Sequence, residues 1–280
     1  MLTKGGESGK HFTLTGMLRY LSLDSIVPRS SISLSMAHFT IRDTDRMEAL
    51  KPEALKRQAA ASALEHVQDG MVLGLGTGST VAHFLDLLGD YLVKGKLKDV
   101  VGVPTSNRTT HEAERAGIEL IELGERSQID LTVDGADEVS PDLDLIKGMG
   151  GALLREKMVA QSSDRVLIIA DNSKLVDRLG TLSPLPLEVV DWGIVGHIRF
   201  IMSRGGEASI RTMHNSEPFH SDNGNLMLDC RFLDGIPEPG ELEAELQARA
   251  GVVESGLFLN IAESVIVGME SGPQKISKNP

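Results

Sequence analysis

One cysteine, Cys230, stands in 280 residues, so no internal disulfide can form and the chain suits a reducing compartment. No apolar run reaches the length needed to span a bilayer. Positive charge is in deficit: the formal net charge is -12, which argues against a nucleic-acid partner held by a general positive field. An anionic small substrate then requires lysines gathered locally against the global repulsion. The eight histidines show no metal-ligand spacing, and a nucleophile-elbow serine is missing. Internal repeats and low-complexity tracts are missing too. What is there is ordinary globular material, 41% hydrophobic and 24% charged, at a length sufficient for a well-buried core and two domains.

The first 46 residues stand apart from the rest. Residues 30–36 are serine-rich, and no helical or strand period persists. There is no compact apolar core with a small-residue cleavage site, and Glu7, Asp24, Asp43 and Asp45 count against a transit peptide. Residues 1–46 read as a disordered leader, or as sequence upstream of a true start at Met47. From Glu48 onward, helix and strand patterns alternate. Helical spacing runs over residues 53–67, 81–88, 109–116 and 152–160, and strands are predicted at 71–75, 100–103, 129–133, 143–147 and 165–170. Such alternation predicts a mainly parallel sheet covered by helices on both faces, with ligands at the carboxyl ends of its strands.

The pattern changes at Leu182-Ser183-Pro184-Leu185-Pro186. A strand (187–190), a helix (192–204), a strand near Ser209, an Asn-Gly turn at 221–225, a strand (226–232), a helix (241–250) and a short strand (252–253) follow. That βαββαβ order is the split βαβ motif. The chain is thus expected to be α/β, with a Rossmann-like core of residues 47–182 plus 256–270 and an inserted ferredoxin-like α+β domain at 183–255. Residues 264–267 return to the main sheet, and the polar tail at 271–280 is expected to fray.

Three motifs carry chemistry. Gly74-Leu75-Gly76-Thr77-Gly78-Ser79-Thr80 joins a strand to a helix. Glycines let backbone approach a ligand, Ser79 and Thr80 add hydroxyls, and a helix start offers unpaired N–H groups. This is a phosphate cradle, or else a tight strand–helix turn. A Walker loop is excluded because Gly78, not lysine, precedes Ser79. A dinucleotide fingerprint is excluded because position 79 is serine and the next predicted strand runs into Pro104-Thr105-Ser106 without an acid. The cradle is therefore sized for a phosphomonoester.

Asp134-Gly135-Ala136-Asp137-Glu138 follows another strand, and its compact turn predicts that Asp134 and Asp137 point into one pocket. Close carboxylates raise one another's pKa. A helix cap or a divalent-metal site is the alternative. Lys147 ends an apolar run directly before Gly148-Met149-Gly150-Gly151, and Glu156 follows one turn into the next helix. An ammonium at a developing enolate oxygen stabilises charge, and a carboxylate over the reacting carbons is a general base. A surface ion pair is the bland alternative for Glu156. Lys174, past the strand 165–170, can close on the phosphate with Lys56 from the first helix opposite it. Either lysine alone reads as a solvated surface charge.

In order and spacing, Gly76-Thr77-Gly78-Ser79-Thr80, Asp134-Gly135-Ala136-Asp137-Glu138 and Lys147-Gly148-Met149-Gly150-Gly151-Ala152 together resemble the type A ribose-5-phosphate isomerase family, over roughly residues 56–267. Met149 stands where some relatives have glycine, and the leader is not part of the pattern. The resemblance implies interconversion of D-ribose 5-phosphate and D-ribulose 5-phosphate through an enediolate, with no metal or organic cofactor. It implies a cytoplasmic homodimer or homotetramer whose partner is a small sugar phosphate, not nucleic acid or membrane. Glu156 is implied as the base that shuttles a proton between C1 and C2, Lys147 and Asp137 as the groups at O1 and O2, and Asp134 in opening the furanose ring. Thr77, Gly78, Ser79, Thr80, Lys56, Lys174, Gly148 and Gly150 are implied as phosphate and substrate contacts. Two other readings compete. A sugar-phosphate-binding sensor would need a DNA-reading domain, and residues 1–46 show no such pattern. A hexosamine-phosphate deaminase-like enzyme would need a catalytic histidine after a Gly-x-x-Asp-Gly lead-in, of which Gly196-His197-Ile198 mimics only the end.

Overall fold

A computed structural model describes residues 51–126 and 128–278, so the leader expected at 1–46 lies outside the described residues. Pro52 opens α1 (Pro52–Leu64) at a position where its missing N–H costs no bond, and Leu55, Ala59, Ala60 and Ala63 form the stripe this helix buries. An apolar run makes β1 (Val72–Leu75), and the loop after it leads into α2 (Ser79–Val93). β2 (Val101–Pro104) precedes α3 (Asn107–Arg115), which is capped by the Ser106 hydroxyl accepting from the Thr109 N–H. A short β3 (Glu119–Leu120) is followed by the fully buried β4 (Leu131–Asp134). Then come a hairpin of β5 (Glu138–Val139) and β6 (Leu145–Ile146), α4 (Leu153–Gln161) and β7 (Val166–Asp171). The inserted segment supplies β8 (Leu185–Val189), α5 (Ile194–Ser203), β9 (Glu207–Ile210), β10 (Leu226–Arg231), α6 (Pro239–Gln247) and β11 (Val252–Ser255). β12 (Leu257–Phe258), β13 (Ser264–Gly268) and β14 (Gln274–Ser277) close the chain.

The main sheet has seven strands in the order β14-β13-β7-β4-β1-β2-β3, and every pairing is parallel except that of β14 with β13. The chain builds outward from β1 to β2 and β3, then returns to the other side of β1 with β4. That reversal opens a crevice between the carboxyl ends of β1 and β4, the standard place for a ligand in an open α/β sheet. The insert forms a separate antiparallel sheet in the order β11-β8-β10-β9, the ferredoxin-like arrangement expected from its βαββαβ pattern. Side chains such as Phe84, Leu73, Leu75, Leu85, Leu88 and Leu131 are fully buried in the core beneath the main sheet. Each contributes roughly 1.5–3 kcal/mol by leaving water. Among the described residues no helix is long and apolar enough to cross a membrane.

Two expectations are corrected. Residues 143–147 do not form a strand of the main sheet: only Leu145–Ile146 is extended, and it sits in a three-stranded antiparallel sheet, β12-β6-β5. Leu143 adopts φ 60°, a left-handed conformation that breaks any longer strand. The tail does not fray throughout, because Gln274–Ser277 zips antiparallel onto β13, Val265 opposite Ile276. Its side chains are exposed, so polarity marked an edge strand and not a loose end. The helix read at 81–88 is longer, since its N-terminal turn begins at Ser79.

Glu138 ties the main core to the crossover that enters the insert. It is completely buried, and its carboxylate accepts the N–H groups of Gly180 (2.6 Å), Leu182 (2.6 Å) and Ser183 (2.5 Å). Glu138→Ala strands three backbone donors, that of Gly180 buried, and is expected to lower the unfolding free energy by about 1–3 kcal/mol, read as a drop in the urea midpoint. An unchanged midpoint would contradict this role.

Candidate active site

The crevice contains a cavity of about 320 Å³. Its floor is the loop after β1. A side chain at Gly76 would collide with Asp134, so glycine is what lets this loop lie against the end of β4. The Asp134 carboxylate Oδ1 accepts the Thr77 N–H (3.1 Å) and the Gly135 N–H (2.7 Å), locking the two strand ends together. Thr77 Oγ1 lies 2.8 Å from Thr105 Oγ1, 2.8 Å from Ser106 Oγ and 3.0 Å from Thr109 Oγ1. Thr105 and Thr109 donate to the carbonyls of Leu75 (2.9 Å) and Gly76 (2.8 Å), so a hydroxyl cluster from α3 and its lead-in braces the loop. Gly78, Ser79 and Thr80 line the cavity where α2 begins, with helix N–H groups and positive dipole directed at it.

The far wall carries the charge. Lys147 is 2% exposed, and its Nζ lies 2.9 Å from Asp134 Oδ2 and 3.3 Å from Glu156 Oε1. It also donates to the Gly135 carbonyl (2.6 Å), and its cation faces the Phe258 ring at 5.4 Å. Burial disfavours this ammonium, but the charges of Asp134 and Glu156 outweigh burial and hold its pKa above the ordinary lysine value. Glu156 is 3% exposed, and its Oε2 has no hydrogen-bond partner among the described residues. Burial, opposed by Lys147 and helped by the carboxylates of Asp134 and Asp137, pushes the Glu156 carboxyl from 4.5 up to about 8. Asp137 is half-buried; burial also raises its pKa, against the Met149 N–H that donates to Oδ2 (3.0 Å) and the nearby Lys147.

At the mouth, Lys56 and Lys174 both line the cavity. Lys56 is held by Glu53 at 2.7 Å, and Glu53 also meets His83 at 2.9 Å. A buried carboxyl group with one oxygen on an ammonium and the other without a donor among the described residues can take a proton from a carbon and return it. A mouth with lysines and a helix start can hold an anion. Among the described residues no group of three or more His, Cys, Asp or Glu is placed to hold a metal ion.

Of the residues singled out from sequence, Glu156, Lys147, Asp137, Thr77, Gly78, Ser79, Thr80, Lys56, Lys174, Gly148 and Gly150 all line this cavity. Asp134 does not. It is 1% exposed and lies behind Lys147, because its backbone is the last residue of β4 and its two oxygens are taken by the loop amides and the ammonium. The expectation that Asp134 and Asp137 face one pocket is therefore corrected: only Asp137 does. Ser106, Arg108, Asp171, Ser173, Phe219 and Asp222 line the cavity and were not singled out. Asp171 is the last residue of β7 and Ser173 lies just past it, a signal that strand-end reasoning could have used. Phe219 and Asp222 come from the insert and had no local signal.

Residues 101–272 match the family model for ribose 5-phosphate isomerase A (phosphoriboisomerase A). The chain is 47% identical over 231 residues to the ribose-5-phosphate isomerase A of Chloroflexus aurantiacus, covering 82% of this chain and 96% of that protein. It is 50% identical over 221 residues to that of Gloeobacter violaceus, covering 79% and 94%. A solved D-ribose-5-phosphate isomerase in complex with phospho-erythronic acid matches with a TM-score of 0.79 at 40% identity, over 81% of this chain and 100% of that one.

The raised carboxyl has a thermodynamic signature. Because the Glu156 pKa rises on folding from 4.5 to about 8, the folded state holds the proton more tightly, so this group stabilises fully below pH 4.5 and the contribution is lost as pH rises through 8. Calorimetric melting across that window is expected to show wild type losing stability relative to Glu156→Gln as pH rises. Parallel curves would mean the carboxyl is not raised.

Proposed function

We propose how a chain that belongs to the ribose 5-phosphate isomerase A family, and accordingly interconverts D-ribose 5-phosphate and D-ribulose 5-phosphate, divides that reaction among its side chains. The phosphate sits at the start of α2, held by the amides and hydroxyls of the Thr77–Thr80 loop, with Lys56 and Lys174 closing on it. Anchoring at this remote group orients the reacting carbons. In the open-chain aldose the Glu156 carboxylate removes the proton from C2, the C2–H electron pair forms the C1–C2 double bond, and the carbonyl pair moves onto O1. Lys147 stabilises the resulting enediolate charge. Glu156 then returns its proton to C1 while the O2 proton passes to O1, giving the ketose. Asp137, at the cavity wall, handles the proton between O2 and O1. Asp134 holds Lys147 from behind, so its part in ring opening is exerted through that ammonium. No metal or organic cofactor is assigned a step.

The observation that carries this reading is Glu156 itself: a buried carboxyl group on the cavity wall, with one oxygen on Lys147 and the other without a donor among the described residues. A base whose pKa lies near the working pH is the efficient one. The deaminase-like reading gains nothing, since His197 is buried in the insert, where Arg249 Nε donates to its Nδ1 (3.2 Å). We further read the enzyme as cytoplasmic and as a homodimer or homotetramer acting on a small sugar phosphate, without nucleic-acid or membrane partners. The buried Cys230 suits a reducing compartment, and exposed apolar side chains such as Trp192, Val195 and Met202 suit a subunit contact.

A coupled assay with ribose 5-phosphate and a chelator tests the whole. Glu156→Gln is expected to lower kcat by about 10²–10⁴-fold with KM little changed. Unchanged turnover would remove Glu156 from the mechanism. Lys174→Ala is expected to raise KM more than it lowers kcat, and the reverse pattern would end its anchoring role. Because the base must be ionised, kcat/KM should fall as pH drops below about 8, with a slope governed by the Glu156 carboxyl.

A further inference from the structure

The insert reaches the cavity through an arginine. Arg211 follows β9, and its backbone is fixed on both sides: its N–H donates to the Met227 carbonyl (2.8 Å), and its carbonyl accepts the Phe219 N–H (2.8 Å). Its side chain, 10% exposed, leaves the insert sheet and meets the glycine loop between β6 and α4. Nη1 donates to two successive carbonyls, those of Gly148 (3.0 Å) and Met149 (3.0 Å). Nε (3.1 Å) and Nη2 (2.5 Å) donate to Asp229 Oδ1 on β10, and the remaining Nη2 hydrogen has the Met149 sulfur at 3.9 Å. All five donors of the guanidinium are thus committed, in its one planar geometry. The Phe219 ring, itself on the cavity wall, flanks the cation at 5.7 Å.

The gripped loop is not a neutral spacer. Gly148, Gly150 and Gly151 line the cavity, and the Met149 N–H is the donor on Asp137 Oδ2. The loop also sets the angle at which α4 leaves, and with it the position of Glu156 in the first turn. Its conformation is a demanding one: Gly148 has φ 102°, and a side chain there would press on Leu153 at 2.7 Å. A chain of glycines has many conformations of similar energy, so something outside it must select one.

We propose that Arg211, oriented by Asp229, is a positioning residue for the isomerisation: it pins the Gly148 and Met149 carbonyls so that the loop presents its amide to Asp137 and holds Glu156 and Lys147 in register. The inserted domain is then part of the catalytic apparatus and not an appendage. This rests on the catalytic reading of the cavity. It leaves substrate anchoring to the opposite side, at the start of α2.

Steady-state kinetics of Arg211→Lys, Arg211→Ala and Asp229→Asn test it. Lysine keeps the charge but cannot hold two carbonyls and a carboxylate at once. Asp229→Asn keeps the arginine and removes its orienting charge. All three are expected to lower kcat by about 10–100-fold, the effect of a misplacement near 1 Å, with KM within about threefold of wild type. Circular dichroism and melting curves select the variants that fold, and Arg211→Lys and Asp229→Asn carry the test if Arg211→Ala does not. Full kcat in Arg211→Lys would reduce the arginine to a charge and overturn the proposal. So would a rise in KM with kcat intact. Failure of the base assignment is separable, since it reads out in Glu156→Gln and not in these variants.

Discussion

The site depends on an imbalance of buried charge. One ammonium, Lys147, is enclosed with two carboxyl groups, Asp134 and Glu156, at a few per cent exposure each. A single buried ion would cost several kcal/mol, so the lysine needs partners; with two partners, negative charge is left over. The local donors decide where that surplus falls. Asp134 receives two backbone N–H groups and the lysine, whereas the far oxygen of Glu156 receives none among the described residues. The burial penalty therefore falls on Glu156 and raises its affinity for a proton. A proton carrier of moderate strength arises from the arithmetic of three side chains.

The fold assembles these groups from both sides of one topological reversal. β1 and β4 are neighbours, and their ends supply the anion loop and Asp134. Lys147 arrives differently, directly after a two-residue strand of a small separate sheet, and Glu156 arrives on a helix. Four elements converge within about 320 Å³. Rigid placement of this kind is what lets binding energy at one end of a sugar act on bonds at the other.

Much of this was legible in the chain. The loop from Gly74 to Thr80, the Asp134–Glu138 turn and the lysine–glycine run are short local motifs, and each sends part of its residues to the cavity: Thr77 to Thr80, Gly135 to Asp137, and Lys147 with Gly148, Gly150 and Gly151. The alternation of helix and strand gave the parallel sheet, and the βαββαβ order gave the second sheet. What could not be read was long-range or directional. Asp134 and Asp137 are three residues apart on one turn, yet a single strand end sends the first behind Lys147 and the second to the wall. Leu143 to Lys147 has a strand's composition, but a left-handed residue at its start shortens it. Phe219, Asp222 and Arg211 approach from across the insert, and nothing near them in sequence announces a cavity. The tail is polar because it pairs at an open sheet edge, where backbone bonds and not buried side chains hold it.

The strand that leads into Lys147 has one partner made before it and one made after the whole insert. β5 precedes it, but β12 follows residue 256, whose carbonyl accepts the Lys147 N–H at 2.9 Å. A nascent chain that has left the ribosome only through α4 therefore already owns Asp134, Asp137, Lys147 and Glu156, yet lacks the backbone that fixes the lysine and the Phe258 ring that covers it. The cavity wall around Lys147 is therefore complete only when a two-residue strand from beyond the insert has been made and has paired with β6.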